Sequence, residues 1–261
     1  MRSSLFVVVF SIIQITLVKS QFVCFSDSTT IYEFPGTALP VMTGAATFRS
    51  GHFKVVVGGK FMDAQAPDSI GVYNCDMLIV DEQAGKTYVL PLSYFPPFVA
   101  DQFSGFQYGY TMDHDTAYVM GGYGYDLARG YEITFPFLTV FPIKVLIDSV
   151  VQHKDYSSLF TVIHDDRLAV MGGTLLHIGQ YFLVYGGRET TSIRDEFTDC
   201  ATVSEWNFEG QLRKFKLKNT NGYPELDEFQ VCNTTAVFQQ CMPNKWGAEP
   251  GKMLEIEKKE R

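Results

Sequence analysis

Two short stretches concentrate the side chains that acid–base chemistry uses. Asp113-His114-Asp115 and His164-Asp165-Asp166 each set an imidazole beside two carboxylates, and paired carboxylates at a fixed separation across a sugar ring are what glycoside hydrolysis requires. His52, His114 and His177 recur along the chain, and imidazoles that converge can hold a metal ion. Simpler readings compete. Aspartates in tight turns accept hydrogen bonds from nearby amides. The three histidines stand 6, 7 and 9 residues ahead of the next Gly-Gly pair, so their side chains share no direction. Asp113, His114, Asp115, Asp165 and Asp166 are therefore read as a candidate binding rim for a sugar or a calcium ion. No catalytic set, metal centre or cofactor is assigned, and the sequence holds neither a Gly-x-Ser-x-Gly elbow nor a Cys–His signature.

Tyrosines form a second group. Tyr108, Tyr110, Tyr123, Tyr125 and Tyr131 lie close together, and Tyr123 and Tyr125 follow a glycine pair directly. Those two are candidates for stacking on a sugar or anchoring a protein, although core packing uses the same residue type. The pair itself, Gly121-Gly122, has neither the spacing nor the following helix of a phosphate cradle. Gly58-Gly59, Gly121-Gly122 and Gly186-Gly187 are read as structural, permitting backbone conformations and close approaches that a Cβ forbids.

The elements that must carry these residues repeat. "TGAATFRSGHFKVVVGG" (43–59), "GFQYGYTMDHDTAYVMGG" (105–122) and "LAVMGGTLLHIGQYFLVYGG" (168–187) each read as strand, short turn, strand and terminal Gly-Gly. The pairs begin at Gly58, Gly121 and Gly186, 63 and 65 residues apart, a near-constant period that suits propeller blades. Gly172-Gly173 falls out of register and is read as a local feature. Residues 75–92 and 210–231 supply a further strand–turn–strand each, with turns at Gln83-Ala84-Gly85 and Asn221-Gly222. The stretch 131–151 ends in apolar residues at a spacing that also fits a short helix. Residues 24–36 offer one more strand. The post-glycine segments 60–72, 123–130 and 188–204 are read as long loops where a partner would be met. High Val, Ile, Tyr and Phe content supports an all-β chain.

Hydrophobic run, Gly-Gly, variable loop and a strand–turn–strand ending near "LPL" resemble the kelch repeat of β-propellers. In order, "DTAYVMGGYGYD", "ITFPFLTV", "VLIDSVV", "DDRLAVMGGTLLHIGQYFLVYGGRE" and "QLRKFKLKN" are similar to stretches of exported kelch-type proteins of Bacteroidetes bacteria, over roughly residues 45–220. The resemblance implies an all-β, kelch-like propeller outside the cytoplasm and no established activity. The copper-binding Tyr, Cys and His of galactose-oxidase-type propellers map onto no residue here. Residues 21–261 divided by the repeat give about 3.8 units, near the bottom of the closed range, so a partial propeller of three to four blades is expected. Its open blade edges would be free for self-association. Family members often continue into further blades and a sorting domain, whereas this sequence ends in "KMLEIEKKER".

Residues 1–20 read as a signal peptide: Arg2, an apolar run from Leu5 to Val18, and Val18 and Ser20 ahead of Gln21. The run is shorter than the ~20 residues of a membrane span, so no span is expected after cleavage, and secretion or the periplasm is the expected location. Residues 21–243 would form the blades and 244–261 a charged tail. Removing Arg2 and Lys19 leaves 19 basic against 29 acidic residues, a charge of −10, which argues against nucleic acid as a partner. Cys24, Cys75, Cys200, Cys232 and Cys241 lack Cys-x-x-Cys spacing, so structural or unpaired thiols are expected, with connectivity open. Asn233 opens a glycosylation sequon. The expected function is a non-enzymatic module binding a protein or a glycan. The alternative is an extracytoplasmic carbohydrate-active enzyme with its acidic and histidine residues on the propeller axis.

Overall fold

The structure, a computed structural model, describes residues 32–37, 39, 41–61, 73–194, 201–208, 210–220 and 223–233. The expected signal peptide, the charged tail, Cys24, Cys200 and Cys241 lie outside them. The described chain is all-β in character and forms several antiparallel sheets that do not close on one another.

β1 (Tyr32–Pro35), β2 (Met42–Thr43), β3 (Ala46–Ser50), β4 (Phe53–Val57), β5 (Lys60–Phe61), β6 (Asp76–Asp81) and β7 (Lys86–Pro91) make the first unit. β3, β4, β6 and β7 lie side by side, β1 adds to the outer edge of β7, and β2 pairs with β5. β6 reads as a nearly unbroken apolar run because both of its faces are covered. Met77 and Ile79 join Val55 and Val57 in the main core, while Leu78 joins Val56 and Val89 in a second cluster on the other face. The Asp81 carboxylate accepts from the Gln83 and Ala84 amides at 3.0 and 2.8 Å and so ties the β6–β7 turn.

The second unit holds α1 (Pro97–Phe103), β8 (Phe106–Asp113), β9 (Thr116–Asp126), β10 (Tyr131–Thr134), β11 (Phe137–Pro142), α2 (Ile143–Val151) and β12 (Thr161–His164). The four-stranded order is β8–β9–β11–β12. α2 stands between the last two strands, where the first unit has a tight turn. It buries Ile143, Leu146, Ile147 and Val150, a helical i, i+3, i+4, i+7 face that fills the core shared with the first unit. The third unit is β13 (Thr174–Ile178), β14 (Tyr181–Tyr185), β15 (Arg188–Arg194), β16 (Ala201–Asn207), β17 (Gln211–Thr220) and β18 (Tyr223–Asn233), with the four-stranded order β13–β14–β17–β18.

Alternation along β9 places the second sheet between its neighbours. Ala117 and Val119 face the first unit's core, where Phe48 meets Phe141 edge-on at 5.9 Å. Met120, with Tyr118 beside it, faces Leu175, Phe182, Val184 and Phe215 of the third unit, and Tyr118 meets Phe182 edge-on at 4.9 Å.

The glycine pairs are the joints of this stack. Both members of all three pairs have positive φ: +59° and +97° at Gly58-Gly59, +61° and +87° at Gly121-Gly122, and +65° and +85° at Gly186-Gly187. A Cβ on the second glycine would crowd its own unit, against Ala45, Tyr108 or Gly173. A Cβ on the first would strike the following unit, at Tyr108 and Gly105 for Gly58 and at the Val170 carbonyl for Gly121. A second series runs 14 residues ahead. Gly44, Gln107 and Gly172 have φ +69°, +58° and +69°, and they link hand to hand: the Gln107 amide donates to Gly44 O and the Gly172 amide to Gln107 O, each at 2.7 Å. Gly172 therefore belongs to a repeat, which corrects its reading as a local feature. Gln107, a glutamine held where glycine fits best, hides that repeat in the sequence.

Each first glycine also leaves a carbonyl that needs a donor in the interior. Asn74 supplies it for Gly58 at 3.0 Å, Gln102 for Gly121 at 3.0 Å and Arg213 for Gly186 at 2.9 Å. Gln102 is fully buried, donating also to Val119 and Phe137 and accepting from Thr139.

These joints differ in a measurable way. Gly121→Ala combines left-handed strain of about 1–2 kcal/mol with overlap on the Val170 carbonyl, which adds roughly 1–3 kcal/mol. Gly186→Ala meets nothing within 4 Å and carries the strain alone. Urea unfolding should show Gly121→Ala as the more destabilised variant, and equal losses would contradict the assignment.

Candidate functional site

The proposed rim residues fall at two ends of the second sheet. At the β8–β9 turn, Asp113 receives two imidazoles: His114 Nδ1 at 2.8 Å and, from β13 of the third unit, His177 Nδ1 at 3.3 Å. The His177 ring lies against Phe182 and Tyr118, at centroid distances of 4.4 and 5.4 Å, so this contact helps clamp the second unit to the third. The Asp115 carbonyl accepts from the Ile143 amide at 2.7 Å and starts α2. His52 faces a different carboxylate, Asp81, at 3.6 Å.

His164, Asp165 and Asp166 stand at the opposite end of β11. Strand pairing sets Phe137 against His164 and Pro142 against Thr116, so six residues of extended chain, about 20 Å, separate the two groups. Asp165 caps a short 3-10 turn through the Arg167 amide at 3.0 Å and holds the Arg167 guanidinium through both oxygens at 2.8 and 2.5 Å. Those bonds hold its carboxyl below the usual range. Asp166 is almost fully solvated and lies 3.9 Å from His164. The two acidic groups are thus not brought together, and among the described residues no group of three His, Cys, Asp or Glu is placed to hold a metal ion.

The post-glycine segments are not free loops where they are described. β9 runs on through Gly121-Gly122 to Asp126 and turns into β10, β15 pairs antiparallel with β16, and the two pairs join as β9–β10–β15–β16. Thr134 and Thr190 lock that seam, with Thr134 Oγ1 donating to Thr190 O at 3.1 Å and accepting from the Thr190 amide at 2.7 Å. Tyr123 donates to Glu132 Oε2 at 2.7 Å and meets Phe106 edge-on at 6.0 Å, which makes it a packing residue. Tyr125 is half-buried opposite Glu132 on the same hairpin. Among the described side chains of this lateral sheet, Trp206 on β16 and Leu127 at the β9–β10 turn are the exposed large apolar ones, at 67% and 76%.

Other polar residues of consequence escaped the sequence reading. Asp101 on α1 lies near Asp126, and burial together with that second carboxylate pushes it up to about 6. Arg213 is buried, stacks on Phe208 at 4.1 Å and is pulled down to about 10 by its burial, with Glu189 opposing. Its Nε has no hydrogen-bond partner among the described residues. A buried Gln at the end of a short helix, or one buried Arg among the lysines of β17, gives no periodic signal, so only the folded contacts expose such residues. Above Arg213, an open depression of about 440 Å³ is lined by Gln107, Gly172, Tyr185, Gly186, Arg188 and Asn207 among others. Cys75 and Cys232 are both disulfide-bonded, and no helix of the described residues is long and apolar enough to cross a membrane.

No protein-family model matches the chain, and no curated protein matches it. Among solved structures, one titled "Structure of YjhT" is similar at 11% identity, covering 78% of this chain and 68% of that one with a TM-score of 0.38.

Asp101 yields a pH prediction. Its folded value of about 6 exceeds the unfolded value near 3.9, so the folded state keeps a proton that the unfolded chain loses. Stability from this group is complete below about pH 4 and is lost as pH rises through about 6. Asp101→Asn should match the unsubstituted protein in thermal melts at pH 4 and exceed it at pH 8; a constant difference at both would remove Asp101 as the cause.

Proposed function

We propose that this chain is an exported, propeller-like binding module that meets a protein or a glycan on its lateral sheet and performs no catalysis. Three four-stranded antiparallel units with equivalent glycine joints support a kelch-like blade arrangement. Disulfide bonds at Cys75 and Cys232 favour an oxidising compartment, in keeping with the expected signal peptide. The observation that carries the binding assignment is Trp206, 67% exposed on the edge strand β16, where the ladder with β15 sets it opposite Glu189. An indole in that setting offers a large flat face at little entropic cost. The enzyme reading would require Asp113 and Asp115 to converge with Asp165 and Asp166, and they stand at opposite ends of β11.

A glycan array and a pull-down from extracellular fractions, each run with the unsubstituted protein and Trp206→Ala, test this reading. Binding that weakens at least about tenfold in the variant, on the scale of a lost aromatic anchor, is the expected result. Retained binding by Trp206→Ala removes the lateral sheet as the binding face, and hydrolysis of an array glycan contradicts the non-catalytic assignment.

A further inference from the structure

We propose that the third unit carries a backbone bracket, unfilled among the described residues, that receives the first unit of a second copy of this chain, head to tail. The inference rests on the repeat and is independent of which ligand the lateral sheet takes. Each internal joint is closed by a three-residue tongue of the following unit. Its first residue offers a carbonyl and its third, in left-handed conformation, an amide. Gly105-Phe106-Gln107 fills the first bracket: the Gly59 amide donates to Gly105 O at 2.8 Å, and the Gln107 amide to Gly44 O at 2.7 Å. Val170-Met171-Gly172 fills the second in the same way, with the Gly122 amide donating to Val170 O at 2.9 Å and the Gly172 amide to Gln107 O at 2.7 Å.

The third bracket, the Gly187 amide and the Gly172 carbonyl, makes neither bond among the described residues. A Cβ on Gly186 would meet nothing within 4 Å, and the depression occupies the space that a tongue fills at the other joints. Side chains beside it are bared in step. Tyr185 is 49% exposed where its counterpart Val57 is fully buried, and Leu176 is 46% exposed where Phe48 is 3%.

The first unit also carries a tongue that fills no bracket among the described residues. Met42-Thr43-Gly44 stands where Gly105-Phe106-Gln107 and Val170-Met171-Gly172 stand in their units. Thr43 pairs with Lys60 as Met171 pairs with Arg188, and the latter two exchange both backbone hydrogen bonds at 2.7 and 2.9 Å. In an antiparallel ladder that register turns the polar groups of the flanking residues outward. The Gly44 amide accordingly has no partner among the described residues. Gly44 is already at φ +69°, so the tongue is pre-organised for the bracket. Because the second sheet packs between the first and the third, one copy does not bring its own tongue to its own bracket. A second copy does.

Sedimentation velocity of the full chain from about 1 to 100 µM, the range in which micromolar association shows, tests the proposal. The expected result is a concentration-dependent rise to at least twice the 29.4 kDa monomer. Gly186→Asn, a residue type that tolerates positive φ, should place a side chain in the bracket and abolish the rise while leaving the circular dichroism unchanged. Tyr185→Lys on the exposed rim should weaken association at least about tenfold, and it decides the matter if Gly186→Asn does not fold. A protein that stays monomeric throughout, or folded variants that associate like the unsubstituted chain, would overturn the proposal. A failed glycan or protein-binding experiment would not alter these masses.

Discussion

A glycine pair with two consecutive left-handed residues follows β4 and β14 and lies within β9, and the stacking of the sheets depends on it. The two glycines answer different constraints. The second lies against the start of its own unit, and the first, at Gly58 and Gly121, lies against the unit that follows. The left-handed turn also rotates the backbone so that an amide points outward to the next unit and a carbonyl points inward. The outward amide becomes the joint between sheets. The inward carbonyl would be an unsatisfied group in the core, at a cost of roughly 1–3 kcal/mol, without the side chains of Asn74, Gln102 and Arg213.

Fixing the joints in this way sets the faces of the sheets. Residues one apart on β9 enter different cores because the second sheet has a neighbour on each side. β9 therefore carries apolar residues on both faces with its carboxylate at its end, whereas β17 and β18 carry Lys216, Lys218, Glu225, Asp227 and Glu228 along their length. The ion pairs at the former candidate sites likewise stand at strand ends. Asp113 with His177 clamps two units at one end of the strands, and Asp165 with Arg167 shapes a connection at the other.

Much of this was legible in the sequence. The period of the glycine pairs, the paired strands before them, the turn at Gln83-Ala84-Gly85 and the outer strand near residues 32–35 all follow from patterns that local chemistry imposes. The register of Gly172 was not legible, because its counterpart is Gln107 and no residue pattern marks a glutamine with positive φ. Strand pairing between the post-glycine segments was also hidden. Those segments read as loops, and only the proximity of strands from different units turns them into one sheet. The donors to the glycine carbonyls come from a loop, a helix and a strand in turn, so no fixed spacing announces them. For the acidic groups, sequence gives proximity along the chain and nothing about which end of a strand a turn occupies.

Amide exchange at the three second glycines tests the central claim most directly. In dilute, monomeric protein, the amides of Gly59 and Gly122 should exchange only in near-global opening, because each is bonded to a neighbouring unit. The Gly187 amide, with no such partner among the described residues, should exchange orders of magnitude faster. Equal protection at Gly187, or loop-like exchange at Gly122, would contradict the account that these glycines are the joints of the stack.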